Sequence, residues 1–196
     1  MTSGLLQKET SATASVARRL VRLVRRHRIV AALVAVVIAA VAVIDVRLFV
    51  VPTSAAAGPT DAFVVLGGGT YDLRLNAALK LVREYPGAAL LVSVAGHKHC
   101  PHFAVGASQI ICFNPDPMTT QGEAREATLL AHQHGWTSMT VVTTADQIWR
   151  AGVRFSRCWS GDLRLVQAPT SAWIRLRSIP YEMGATVKAE VFQRSC

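Results

Sequence analysis

The chain has 196 residues, 51% of them apolar, and a net charge of +9, which is enough for one cored domain plus an appendage. Residues 1–51 carry eight Lys/Arg against two Asp/Glu, a net +6, and the rest of the chain carries only +3. A nucleic-acid partner needs basic residues clustered on the folded domain, and no such cluster stands beyond residue 51, so that class is excluded.

The first element is a basic segment, "ARRLVRLVRRHR", with Arg18, Arg19, Arg22, Arg25, Arg26 and Arg28. An uncharged run follows from Ile29 to Ile44, then Asp45, Arg47 and "LFVV". A spanning helix needs about 20 apolar residues. Residues 29–51 meet this if Asp45 and Arg47 lie near the far interface, where a long side chain can snorkel. The positive-inside rule then makes 1–28 a basic cytoplasmic segment and 29–51 a single-pass anchor in the cytoplasmic membrane, with the remainder extracytoplasmic. A cleaved signal peptide is the rival, because "SAAAG" supplies small residues of the cleavage-site kind, although the basic region is long and the apolar run exceeds a usual signal core. A buried Ala/Val-rich helix of a soluble protein fits poorly with arginines directly flanking the run. The Arg18–Arg19 pair lacks the surroundings of a twin-arginine signal.

Residues 52–60 read as a linker and 61–196 as an α/β domain. "AFVVLGGG" predicts a strand and its turn, and "YDLRLNAALKLVREYPG" a helix with Leu75, Leu79 and Leu81, stopped at Pro86–Gly87. "AALLVSVAG" is a second strand. Residues 97–118 form a polar insertion, and "TTQGEAREATLLAHQHGW" is a helix ending at Gly135. "SMTVVTT" is a third strand, "DQIWRAGVRFSRC" a helix, "LRLVQAP" a fourth strand and "IPYEMGATVKAEVFQ" a last helix. This alternation implies a mostly parallel sheet covered on both faces, and such sheets bind ligands beyond the carboxyl ends of their strands.

The strand ends therefore carry the candidate site. Gly67, Gly68 and Gly69 follow the first strand, then Arg74. Bare glycines before a helix N-terminus admit an anion, although a tight turn explains them as well. Ser93 and Gly96 follow the second strand. Thr119, Thr120 and Glu123 open the next helix, where Thr120-x-x-Glu123 also reads as a capping box. Thr143, Thr144, Asp146, Gln147 and Arg150 follow the third strand, and Arg154 and Arg157 beyond them read as surface residues.

Four cysteines lie beyond the anchor, where disulfides persist. Of three possible pairings, Cys100–Cys112 and Cys158–Cys196 is preferred: the first closes a short loop and the second ties the terminus to the body. "GHKHCPHF" gathers His97, His99, Cys100 and His102, but the spacing matches no standard zinc pattern. No metal and no cofactor is expected.

In order, "VVLGGG", the following Arg74, "SVAG", "TTQGEA" and "VVTTADQIWRA" resemble the YdcF/SanA/ElyC-like envelope domain family, over about Asp61 to Val191. The resemblance implies a three-layer Rossmann-like α/β fold behind one N-terminal transmembrane helix, as in many members, with a pocket at these strand ends. It also implies a role in bacterial envelope biogenesis around lipid-carrier or glycan precursors; S-adenosylmethionine binding belongs to one branch. The family's third-strand motif reads Thr-Ser, two residues, His, two residues, Arg. Thr143, Thr144 and Arg150 fill their positions, but Gln147 replaces the histidine, and glutamine cannot shuttle a proton. Glu123 fills an acidic position of the middle motif.

The expected function is binding of a phosphorylated or otherwise anionic envelope metabolite. Gly67–Gly69 would cradle the anion, Arg74 and Arg150 neutralise it, and Thr143 and Thr144 donate hydrogen bonds. Glu123, with Asp146 as the other nearby acid, would serve hydrolysis or transfer at a phosphate ester. The rivals are a non-catalytic envelope factor, sensing a ligand or binding a partner, and a pocket for S-adenosylmethionine or a nucleotide, a poor fit to an exported domain.

Overall fold

The computed structural model describes residues 25–96 and 99–196. Arg18, Arg19, Arg22 and His97 lie outside them. The described residues divide into two units after Ile44, the second being Asp45–Cys196. Helix α1, Arg25–Val50, is long and apolar enough to cross a membrane by length and composition, with a mean hydropathy of 3.0 over its most apolar window. Its last five residues, Val46–Val50, wind as a π-helix and belong to the second unit.

The second unit continues with β1 (Ala62–Val65), α2 (Tyr71–Glu84), β2 (Ala89–Ser93), β3 (Ile110–Phe113), α3 (Thr120–Gln133), β4 (Ser138–Thr144), α4 (Ala145–Cys158), β5 (Asp162–Ala168) and α5 (Ala172–Val187). A π-helical turn, Lys188–Phe192, extends α5. The five strands form one all-parallel sheet in the order β3-β2-β1-β4-β5. The fold is thus the expected α/β class, with one strand more than the sequence suggested. β3 lies inside the polar insertion, where "IICF" is too short and too flanked by polar residues to stand out as a periodic run. α5 also begins at Ala172, not at Ile179. Ser171 caps it by accepting from Ile174 N–H, and Pro180 lies inside the helix where the sequence suggested its start.

Alternation along β1 builds both faces. Ala62, Val64 and Leu66 pack with Ala124 and Ala127 of α3 and with Ala151 and Phe155 of α4. Phe63 and Val65 face the other way, onto Tyr71, Leu75, Ala78 and Val82 of α2. The insertion extends that second layer: Ala104 is buried in the same cluster, and Cys100–Cys112 pins the loop to β3. The segment 52–60 is laid along β5. Ala55 N–H donates to Leu165 O (2.9 Å), Gln167 N–H to Ser54 Oγ (3.0 Å) and Arg164 to Pro59 O (3.0 Å). An otherwise open sheet edge is thereby covered.

Candidate functional site

From β1 the chain order runs one way to β2 and β3 and the other way to β4 and β5, so the switch point lies between β1 and β4. The turn after β1 opens there. Gly68 takes a φ of +100°, in the left-handed region. A Cβ on Gly67 would stand 2.9 Å from Ala95 Cβ, 3.1 Å from Ser93 Oγ and 3.3 Å from Glu123 Oε1, so only glycine lets the turn approach β2 and α3 this closely.

Arg74 lies beneath this turn, fully buried. Its guanidinium donates to Leu66 O (3.0 Å), to Gly67 O and to Thr70 Oγ1 (2.7 Å), and Thr70 in turn meets Thr144 Oγ1 at 3.4 Å. Burial pulls its pKa below the usual guanidinium value, against the charges of Glu123 and Asp146. The expected role of Arg74 at the anion is corrected accordingly: its donors are directed to the glycine turn, which it staples.

Glu123 also departs from expectation. The cap of α3 is Thr119, whose Oγ1 accepts from Gly122 N–H at 3.4 Å. The Glu123 side chain closes no capping box with Thr120 but crosses to β1, where Oε1 accepts from Gly67 N–H at 2.7 Å. Gly67 N–H is therefore engaged and leaves the expected anion cradle, while Gly68 and Gly69 remain on the wall of the cleft. Burial raises the Glu123 pKa above its ordinary 4.5, and the Ser93 hydroxyl, Gly67 N–H, Arg74 and Arg150 hold it down in part. Ser93 Oγ sits beside this carboxyl without full hydrogen-bond geometry and is otherwise unpartnered.

The opposite wall comes from α4 and the C-terminal segment. Arg150 grips Glu182 of α5 with two bonds, Nε to Oε2 at 2.8 Å and Nη2 to Oε1 at 3.0 Å, and also donates to Thr120 Oγ1. Burial works against its charge, but Glu182 outweighs this and raises the pKa. Arg154 is buried on the cleft, not at the surface, and donates to the carbonyl and side chain of Gln193. Burial, together with Arg157, Arg150 and Arg125, lowers its pKa. Arg157 holds Ala189 O (2.7 Å) and Glu190 (2.7 Å), and so is not a free surface residue either.

Together these residues enclose an open cleft of ≈ 580 Å³. Of the residues expected at the strand ends, Gly67, Gly68, Gly69, Gly96, Thr119, Thr120, Glu123, Gln147 and Arg150 line it. Thr143, Thr144, Ser93, Asp146 and Arg74 are buried behind that wall, with Thr143 Oγ1 at 3.5 Å from Gln147 Oε1. Tyr181, Ala185, Lys188 and Gln193 line the far side and escaped the sequence reading. One signal pointed to them: a Cys158–Cys196 bond brings the C-terminus to the end of α4. Both preferred disulfides are present, and the four cysteines are all paired. Cys100 is consequently unavailable to a metal beside His99 and His102.

A second, apolar cavity of ≈ 540 Å³ lies between the end of α1 and α4, lined by Leu48, Val51, Pro52, Ile148, Trp149 and Val153 among others. Comparison with known proteins returned no matching family model, no matching curated protein and no matching solved structure.

Proposed function

We propose that this is a membrane-anchored protein of the cell envelope whose domain binds a phosphorylated or otherwise anionic envelope metabolite, such as a lipid-carrier or glycan precursor, in the cleft at the switch point. One observation carries the reading: the cleft holds cations that form no ion pair among the described residues. Arg150 is matched by Glu182, but among the described residues Arg154 bonds to the neutral Gln193 and to no carboxylate. Burial, with Arg157, Arg150 and Arg125 crowding it as well, lowers its pKa. Lys188 stands exposed at the rim. A bound anion relieves that crowding, and Gly68 and Gly69 line the other wall. The ordered motifs of the YdcF-like resemblance support the same pocket. The apolar α1 and the two disulfides support a domain outside the cytoplasmic membrane with its N-terminus inside.

The test is thermal unfolding of the full chain in detergent against polyprenyl phosphate, sugar nucleotides and S-adenosylmethionine, with Lys188→Ala as control. A ligand at a hundredfold excess over its Kd adds about 2.7 kcal/mol. The expected result is a shift with a phosphate-bearing ligand that weakens in the variant. No shift with any anion sinks the reading, and a shift with S-adenosylmethionine alone transfers it to that cofactor.

A second reading, turnover at a phosphate ester, is favoured by Glu123. Its carboxyl lines the cleft and burial helps it retain a proton, which suits a general acid that protonates the departing oxygen. Glu123→Gln should then abolish turnover and leave the ligand-induced shift. If no turnover is found in the parent protein, the cleft is that of a sensor.

A further inference from the structure

Helix α5 and its extension carry an apolar stripe that nothing among the described residues covers. Trp173, Leu176, Pro180, Met183, Val187 and Val191 recur at intervals of three and four, which sets them on one helix face. Trp173 is 70% exposed, Val187 55% and Val191 52%. The opposite face buries Glu182 and Ala189. Arg177 and Lys188 are exposed beside the stripe, and neither acid of this segment opposes them, because Glu182 is buried on Arg150 and Glu190 is paired with Arg157. Large contiguous apolar faces on soluble domains mark sites that something covers.

The position of α5 names the occupant. α5 packs on Val46–Val50, the last turn of α1, and Arg175 donates to the carbonyl of Val50 at 2.9 Å. Val50 ends the helix that is apolar enough to span a bilayer, so the residues touching it stand where a spanning helix leaves the hydrocarbon. Tryptophan is enriched at that level, and an amphipathic helix with a basic flank lies in it. We infer that α5 buries this stripe in the interfacial layer of the bilayer that α1 crosses, and so holds the cleft, whose rim it supplies through Tyr181 and Lys188, at the membrane surface. The inference rests on α1 as a membrane span but not on what the cleft binds.

The test uses the full chain reconstituted in phosphatidylcholine vesicles, with and without brominated acyl chains. Trp149→Phe serves as the parent, so that Trp173 is the one strongly exposed tryptophan remaining. Brominated lipid is expected to quench part of the emission, and adding Trp173→Phe to remove most of that quenching. Equal quenching with and without Trp173 overturns the inference. A blue-shifted but unquenched Trp173 also overturns it and assigns the stripe to a second copy of the chain. Trp173 is too exposed for its loss to threaten folding. Alkaline carbonate extraction of the same vesicles reports the anchor separately, and release of the protein would remove both anchor and docking. Lipid quenching without any anion-induced thermal shift would leave the docking standing and remove the proposed ligand.

Discussion

At Glu123, burial and hydrogen bonding pull in opposite directions, and the outcome has a measurable sign. Its folded pKa lies above the ordinary 4.5, with burial as the largest cause. The folded state therefore keeps a proton that the unfolded chain releases, so Glu123 favours folding below the ordinary value, and that contribution falls as pH rises from 4.5 through the raised pKa. Glu123→Gln retains an acceptor for Gly67 N–H and should flatten the decline across that window in urea melts taken at several pH values; an unchanged slope would mean that another group carries it. Gly67 gives the steric counterpart. A methyl there meets Ala95, Ser93 and Glu123 at 2.9–3.3 Å, so Gly67→Ala should cost about 1–3 kcal/mol by overpacking, read from the denaturation midpoint. Full stability in that variant would show that the turn is free to move.

The contact between α4 and α5 is set by one buried ion pair. Glu182 is 1% exposed, and its carboxylate meets Arg150 at 2.8 Å. Removing either partner strands the other, at about 3–5 kcal/mol, whereas replacing both with apolar residues costs far less. Arg150→Met and Glu182→Leu should each destabilise the protein strongly, and the double variant less than either single; additive losses in a double-mutant cycle would rule out the coupling. The same pair explains why the α4 arginine cannot be read as a free anion clamp from local sequence: its partner lies 32 residues away, in a helix whose own start was not legible at Pro180.

Across the whole molecule, the Cys158–Cys196 bond closes a separation of 38 residues and is worth about 4 kcal/mol in the chain-entropy account. It also holds Gln193 on the cleft wall, where Arg154 and Arg157 grip it. Cys158→Ser with Cys196→Ser should lower stability by about that amount and weaken any anion-induced shift; retention of both would make the bond dispensable. Thiol alkylation of the intact unreduced chain should modify none of the four cysteines.

The sequence by itself determined what short-range patterns encode. An uncharged run beside arginines makes a helix long and apolar enough to cross a membrane legible, and strand–helix alternation makes a parallel α/β sheet legible. The carboxyl-end rule then led from the sheet to the glycine turn, Thr119, Glu123, Gln147 and Arg150. Tertiary structure alone decided the rest, because those choices depend on partners distant in sequence. It added β3, whose four residues gain meaning only from pairing with β2. It turned Glu123 from its own helix cap to Gly67, 56 residues away, buried Arg74 under the turn, and brought the C-terminal segment in as the far wall. A periodic pattern reports which face of an element is apolar; it does not report which charge will meet which across the fold.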